Sequence, residues 1–163
     1  MRPSMPVRAL AAIRSRKTIV EGGKWATGKM PHTAFPLSKS HNYTLGSAWR
    51  WRVCRLVSGD KNFRLLVAYQ AAKAQYQAWL GCESGADQAV LARLEFHPSH
   101  RGWHCHVKKG PLDEVACGVV KQPQSRERVK LCRDNNPFTV TDLDALGIAC
   151  RAFNVEMGED AFG

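Results

Sequence analysis

Four of the six histidines in the sequence fall between residues 97 and 106, and this short segment is where the chain could do chemistry. His104 and His106 are two residues apart, and Glu95 lies two residues before His97. Neutral imidazole nitrogens and carboxylate oxygens bind divalent metal ions, and the same groups move protons in acid/base catalysis. We therefore predict a site in which Glu95, His97, His104 and His106 act as catalytic groups and as ligands of Mn, Mg or Zn.

A β-hairpin over residues 93 to 108 is the element expected to position this site. Turn residues dominate the segment 98 to 103, so the strands on either side are predicted to pair around it. In that register His97 faces His104 and Glu95 faces His106, with Cβ atoms about 4.5 to 5.5 Å apart. The apolar residues fall on the opposite face, which is expected to be core: Leu94, Phe96, Trp103, Cys105 and Val107.

The same pattern has a structural alternative that the sequence leaves open. Histidines on the wet face of a hairpin can be ordinary surface residues, and Glu95 can be a salt-bridge partner of Arg93 or Lys108. A purely structural zinc site is less favoured, because such sites are usually rich in Cys and Cys105 points the other way.

The preceding segments predict a second hairpin and a helix. From Trp49 the apolar residues alternate, and turn residues at 58–62 separate this strand from a second β-rich run at 63–69. From Gln70 the apolar spacing changes to that of a short helix, which Gly81 can end.

The rest of the chain predicts further strands and a second helix. Strands are expected at about 88–97, and with weaker patterns at 114–121 and 128–132. Thr141 is a predicted N-cap for a helix that Asn154 closes. The sum is an α+β fold, a single domain with an antiparallel sheet of about five or six strands and two helices.

Positive charge is concentrated at the N-terminus. Residues 1–40 hold eight Lys or Arg and one acidic residue, which accounts for +7 of the net charge of +10. The predicted organisation is a basic extension and loop over 1–46, an α+β domain over 47–155 and a tail over 156–163. The extension is open to four interpretations: a solubilising segment, a start-site artefact, an arm that binds phosphates, or an organelle presequence.

Several classes of protein are disfavoured by composition. No apolar run approaches the roughly 18 residues needed to span a membrane, so we expect no membrane partner. The six cysteines include no Cys-x-x-Cys pair, which favours reduced thiols and a cytoplasmic protein. The sequence contains neither a phosphate-binding Gly-rich loop nor a Gly-x-Ser-x-Gly motif.

The stretch Trp-His-Cys-His-Val at 103–107 resembles the His-hydrophobic-His strand of the HUH endonuclease superfamily. In those proteins two histidines on a central strand of an antiparallel sheet hold Mg or Mn with a third His, Glu or Gln. The resemblance implies that His104 and His106 are ligands and that His97 or Glu95 is the third. It covers about fourteen residues of this sequence, and Cys105 replaces the bulky aliphatic residue of the motif.

The HUH resemblance also implies a tyrosine nucleophile on a helix. No tyrosine follows the motif in this sequence, so the best candidate is Tyr76, on the helix predicted after Gln70. The competing interpretation makes Tyr76 a core residue on one helical stripe with Ala72 and Trp79. A mechanism that uses metal-bound water needs no protein nucleophile.

These observations predict a metal-dependent phosphodiesterase or nuclease that acts on nucleic acid. One alternative is a non-catalytic nucleic-acid-binding module or a subunit with a protein assembly partner, and another is a metal-free, histidine-based ribonuclease. Arg50 and Arg52 alternate with tryptophans, a pattern on which bases could stack. The residues predicted to contact nucleic acid are Arg50, Arg52, Arg93, Arg101, Lys108 and Lys109.

Overall fold

The computed structural model describes residues 6–31, 45–85, 87–98, 103–117, 125–128 and 140–158, without side-chain detail for 125–128. Its helices are α1 (Ala9–Arg14) and α2 (Asp142–Ala152), and two 3-10 turns cover Ala71–Lys73 and Leu112–Glu114. Its strands are β1 (Lys17–Glu21), β2 (Ala26–Thr27), β3 (Arg50–Ser58), β4 (Lys61–Gln70), β5 (Gln75–Ser84), β6 (Asp87–Phe96), β7 (His104–Val107), β8 (Ser125–Arg128) and β9 (Val155–Glu156).

All nine strands found in the described ranges belong to one sheet. Its order is β8-β7-β6-β5-β4-β3-β1-β9, with β2 paired to β3 off this path. Every pairing is antiparallel except that of β1 with β9, so the sheet is mixed and curls into a half-barrel. Strand accounts for 48% of the described residues and helix for 20%. The predicted α+β fold with five or six antiparallel strands is therefore wrong, because the chain is mostly sheet.

The largest single error is the helix predicted after Gln70. Residues 75–84 form β5, which pairs with β4 over residues 75–82 and with β6 over residues 76–84. Both faces of this central strand are covered, with Tyr76 and Leu80 in one core cluster and Trp79 in the other. A strand buried on both faces loses the polar alternation that identifies strands in a sequence, so chance helical spacing dominated the pattern.

The second error concerns the N-terminal segment, because part of the range 1–46, which was predicted to be extension and loop, forms a helix and two strands. Residues 9–27 form α1, β1 and β2, and β1 lies between β3 and β9 in the sheet. α1 has six residues, too few for a recognisable period, and it is held by burying Ala9, Ala12 and Ile13.

The predicted strands in 114–132 do not match the structure where it can be compared. Residues 112–114 form a 3-10 turn, and 115–117 are not in a strand. β8 begins at Ser125, inside the predicted loop, and both 118–124 and 129–139 lie outside the described residues.

Other predicted elements are confirmed. The β3–β4 hairpin turns at Gly59, and β6 pairs with β7 as expected for the hairpin over 93–108. The backbone N–H of Asp144 donates to Thr141 Oγ1 at 3.3 Å, which caps α2 as expected. Asn154 adopts φ 54° just after the helix and ends it in the left-handed region. None of the helices in the described ranges combines the length and apolar composition needed to cross a membrane.

The sheet has a helix-covered face and an opposite face. Both helices pack on the first through a large apolar cluster that includes Leu65, Leu80, Leu94 and Leu146. The opposite face carries a smaller cluster: Met30, Leu45, Leu66, Ala68, Trp79 and Val90.

A β-bulge in β6 decides which side chains reach each face. Leu80 pairs with Ala92 but Gly81 pairs with Val90, so Leu91 is an extra residue in the ladder. An extra residue reverses the alternation on one side of it. Val90 therefore lies on the opposite face from Leu94, although two residues four apart in a regular strand share a face.

Candidate metal centre

One carboxylate oxygen, Oε1 of Glu95, has three imidazoles around it. It lies 2.6 Å from Nε2 of His104, 3.2 Å from Nε2 of His106 and 3.8 Å from Nε2 of His97. The four residues predicted from the sequence are thus brought together on the sheet face that the helices leave uncovered.

The β6–β7 ladder positions the group, in a register that differs from the predicted one. Glu95 pairs with His104, and Arg93 pairs with His106. His97 lies just beyond the end of β6 instead of facing His104 in the ladder, and the two rings meet edge to face at 5.1 Å. The shift amounts to two residues, and an even shift keeps every side chain on its face. The four predicted site residues therefore still share one face, and the apolar residues still lie on the opposite face, despite the error in register.

The group is largely withdrawn from solvent. Side-chain exposure is 5% for Glu95, 6% for His104, 14% for His106 and 24% for His97. Access from solvent is therefore greatest at His97, at the end of the strand.

Arg93 holds the other oxygen of the same carboxylate. Its Nε donates to Glu95 Oε2 at 2.7 Å, and its Nη2 also donates to Oε2. This salt bridge was the structural alternative raised for Glu95, and it coexists with the histidine contacts. The two oxygens have separate partners, one cationic and one imidazole-rich.

Electrostatics favour an ionised Glu95 carboxylate beside a neutral His106 imidazole. Burial alone would raise the pKa of Glu95, but the hydrogen bonds and charge of Arg93, followed by those of His104, outweigh it and lower that pKa. Burial lowers the pKa of His106, against the opposing pull of Glu95. A carboxylate and a neutral imidazole are the protonation states that metal ligands need.

The donor set can hold a divalent ion. One ligand atom from each of Glu95, His97 and His104 lies within 4.8 Å of the others. Two ligands at tetrahedral angles and 2.0–2.1 Å from an ion are about 3.3 Å apart. Within this group the Glu95–His104 contact of 2.6 Å would have to open, and the Glu95–His97 separation of 3.8 Å would have to close, to reach that value. The first change is about 0.7 Å and the second about 0.5 Å. His106 is outside this group of three, although its Nε2 lies 3.2 Å from Glu95 Oε1.

Tyr76, the candidate nucleophile, is not part of this group. It lies on β5 on the helix-covered face and is 0% exposed. Its hydroxyl donates to the carbonyl of Ala145 in α2 at 2.7 Å, and burial raises its pKa well above the ordinary value. Tyr76 is thus a core residue, as the competing interpretation held, but it shares no helical stripe with Ala72 and Trp79. It lies on a strand, and Trp79 belongs to the apolar cluster on the opposite face.

Arg50 and Arg52, the two predicted nucleic-acid contacts on β3, are engaged within the protein. Arg50 Nε donates to Asp142 Oδ1 at 2.5 Å, and Nη1 donates to Thr27 Oγ1 at 2.9 Å. Arg52 is 4% exposed, and its Nε donates to the carbonyl of Gly22 at 2.5 Å.

The remaining predicted nucleic-acid contacts are placed differently. Lys108 and Lys109 follow β7 directly, Lys108 half-buried and Lys109 exposed. Arg101 lies outside the described residues.

Two arginines that the sequence analysis missed hold ladder positions beside the site. In the β7–β8 ladder His106 pairs with Arg126 and His104 pairs with Arg128. The alternating run Ser-Arg-Glu-Arg at 125–128 is the signal that could have revealed them.

Comparison with known proteins gives no relatives. No protein family matches the chain. No curated protein and no solved structure matches it either.

Proposed function

We propose that this protein is a divalent-metal-dependent phosphodiesterase that acts on nucleic acid at the Glu95 site. The observation that carries the proposal is the placement of three imidazole nitrogens within 3.8 Å of one carboxylate oxygen. Such a set of nitrogen and oxygen donors suits a divalent ion, and partly buried ligands limit competition from solvent.

Charge supports an anionic substrate. The chain carries a net charge of +10, and a polyanion such as nucleic acid is the partner that this excess favours. In the β7–β8 ladder two basic residues, Arg126 and Arg128, are the backbone partners of the two histidines of β7. The resemblance of β7 to the HUH strand supports the same substrate class.

The side chains have distinct tasks in this proposal. A divalent ion held by these residues would supply an activated water and would polarise a phosphoryl oxygen. Glu95 and His104 form the buried base of the site, His106 adds a neutral imidazole, and the more exposed His97 exchanges protons with solvent. Tyr76 lies on the other face of the sheet, so in this proposal water takes the place of Tyr76 as the nucleophile.

The decisive test combines metal analysis with a cleavage assay. Wild-type protein is stripped with chelator, reloaded with Mn²⁺, Mg²⁺ or Zn²⁺, and incubated with labelled single- and double-stranded DNA and RNA. We expect bound metal and metal-dependent cleavage, both lost in His104→Ala. Cys105→Ala is the matched control, because Cys105 lies between the two histidines on the opposite face and should leave both properties intact.

A second candidate function is a metal-free, histidine-based ribonuclease. The direct contact of 2.6 Å between Glu95 and His104 favours it, because such pairs orient an imidazole for proton transfer. Cleavage of RNA that persists in excess chelator, yet disappears in His104→Ala, would establish this function in place of the metal-dependent one. Nucleic-acid binding without cleavage under any condition would identify a non-catalytic module.

A further inference from the structure

We infer that Arg93 is a positioning residue that makes Glu95 a one-oxygen ligand, and that the site consequently selects Zn²⁺ over Mg²⁺. The inference rests on the proposed metal site and narrows the ions it accepts. The juxtaposition behind it is an arginine fork on one carboxylate oxygen and imidazoles on the other.

The carboxylate of Glu95 is divided between two sets of partners. Both Nε and Nη2 of Arg93 donate to Oε2, so this oxygen is committed to a guanidinium. Oε1 is the oxygen that the imidazoles of His104 and His106 approach. A carboxylate that binds an ion with both oxygens would have to break the Arg93 fork. With the fork intact, Glu95 presents Oε1 alone.

Arg93 is itself held in place by its contact with the ring of Trp79. Its guanidinium carbon lies 4.8 Å from the ring centroid of Trp79, its ladder partner on β5. Trp79 is fully buried, and its Nε1 donates to Gln77 Oε1 at 3.2 Å. Gln77 is in turn the ladder partner of Glu95. Outer residues that fix a ligand in this way raise metal affinity, and a planar guanidinium does so better than an ammonium.

One carboxylate oxygen with imidazole nitrogens makes a small, nitrogen-rich ligand set. Zn²⁺ commonly takes four such ligands in tetrahedral geometry. Mg²⁺ requires octahedral geometry, prefers oxygen and keeps several of its waters. Glu95 and His104 have side-chain exposures of only 5% and 6%, which leaves little space for a hydrated ion on their side of the site.

The first experiment uses the wild-type protein. Metal-free protein is titrated calorimetrically with Zn²⁺ and with Mg²⁺, and the zinc-loaded form is examined by X-ray absorption. We expect tighter binding of Zn²⁺ and a four-coordinate shell of mixed nitrogen and oxygen ligands that includes imidazole. Preferential Mg²⁺ binding, or a six-coordinate shell with a two-oxygen carboxylate, would overturn the inference.

The second experiment tests Arg93 through Co²⁺, whose visible spectrum reports coordination geometry. In Arg93→Gln we expect Co²⁺ and Zn²⁺ affinity to fall by about 10- to 100-fold, with loss of the intense four-coordinate band. Arg93→Lys keeps the positive charge but cannot donate two hydrogen bonds in the same way. It should therefore recover only part of the metal affinity and part of the four-coordinate band. Arg64→Gln removes the same charge from β4, beside Glu83 and away from the site, and should match wild type.

The outcomes separate this inference from the proposed function. A wild-type protein that binds no divalent ion refutes the metal-dependent function. A wild-type protein that binds Zn²⁺ tightly, with Arg93→Gln or Arg93→Lys showing unchanged affinity and spectrum, refutes only the role of Arg93. If Arg93→Gln does not fold, Arg93→Lys and the wild-type coordination number still decide the question.

Discussion

Oε1 of Glu95 lies 2.6 Å from Nε2 of His104, its ladder partner on the neighbouring strand. Backbone pairing therefore brings a base and a carboxylate together before any ligand arrives. The same register places Arg93 opposite His106 and so surrounds the carboxylate with cationic and imidazole groups. As pH falls, we expect His106 to gain a proton first and Glu95 second, and each step should lower the stability of the folded protein.

The metal-free protein should lose stability as pH falls from about 7.5 to 5.5. The pKa of His106 is lowered by burial, so in this interval the unfolded chain binds more protons than the folded one. Stability then rises with pH and is lost on acidification. Urea unfolding in chelator at both pH values measures the effect, and His106→Gln should show a smaller loss than wild type.

Glu95 should add a second loss of stability at lower pH. Its pKa is lowered from 4.5, mainly by Arg93 against the opposing effect of burial, so its contribution is present above about pH 4.5 and lost below it. Urea unfolding extended below pH 4.5 should show this step in wild type and lack it in Glu95→Gln. An equal step in both proteins would contradict the assignment.

Lys17→Met should destabilise the protein by about 3 kcal/mol, because it leaves buried carbonyl groups without their hydrogen-bond donor. Lys17 is 0% exposed, and its ammonium donates to the carbonyls of Ile13, Ser15 and Phe153 at 2.7 to 2.8 Å. These contacts join the end of α1 to the end of α2. Chemical denaturation measures the loss, and Lys24→Met, at an exposed position, should stay within about 0.5 kcal/mol of wild type.

Burial also lowers the pKa of Lys17 to about 8 from 10.5. Between those values the folded state binds fewer protons than the unfolded state, so the contribution of Lys17 to stability should rise with pH. The stability difference between wild type and Lys17→Met should accordingly widen from about pH 8 to 10. A difference that narrows over this interval would show that the ammonium form is the one favoured in the core.

Gly23→Ala should be more damaging than Gly59→Ala, although both glycines have positive φ. Gly23 has φ 64° and a Cβ there would collide with the carbonyl oxygen of Val53, whereas Gly59 has φ 60° and open space around it. Gly59→Ala should cost about 1 kcal/mol for the left-handed backbone alone, and Gly23→Ala at least twice that. Thermal unfolding of the pair measures the difference, and equal losses would contradict the collision.

Asp142→Asn should weaken the attachment of α2 to the sheet. Asp142 accepts from Arg50 and from the hydroxyl of Tyr69 at 2.6 Å, and hydrogen bonding from Arg50 is the main cause of its lowered pKa. Because Asp142 and Arg50 are about a third exposed, we expect a loss of only about 1 kcal/mol. Urea unfolding at neutral pH measures it, with Asp113→Asn as an exposed control.

Local patterns in the sequence determined much of the candidate site. Turn residues after His97 required a hairpin, and strict alternation in both strands placed imidazoles on one face and apolar residues on the other. Because the error in register was an even number of residues, those faces were predicted correctly. The N-cap at Thr141 and the closing residue Asn154 are equally local and were also predicted correctly.

Only the tertiary structure decided the rest, because the deciding contacts join residues far apart in the chain. β5 is a strand because β4 and β6 pair with both of its edges and apolar clusters cover both of its faces. Lys17 donates to the carbonyl of Phe153, 136 residues away, and β1 pairs with β3 and β9, so β1 is fixed by contacts with distant parts of the chain. Periodicity records which face a residue occupies, but it holds no information about which distant partner covers that face.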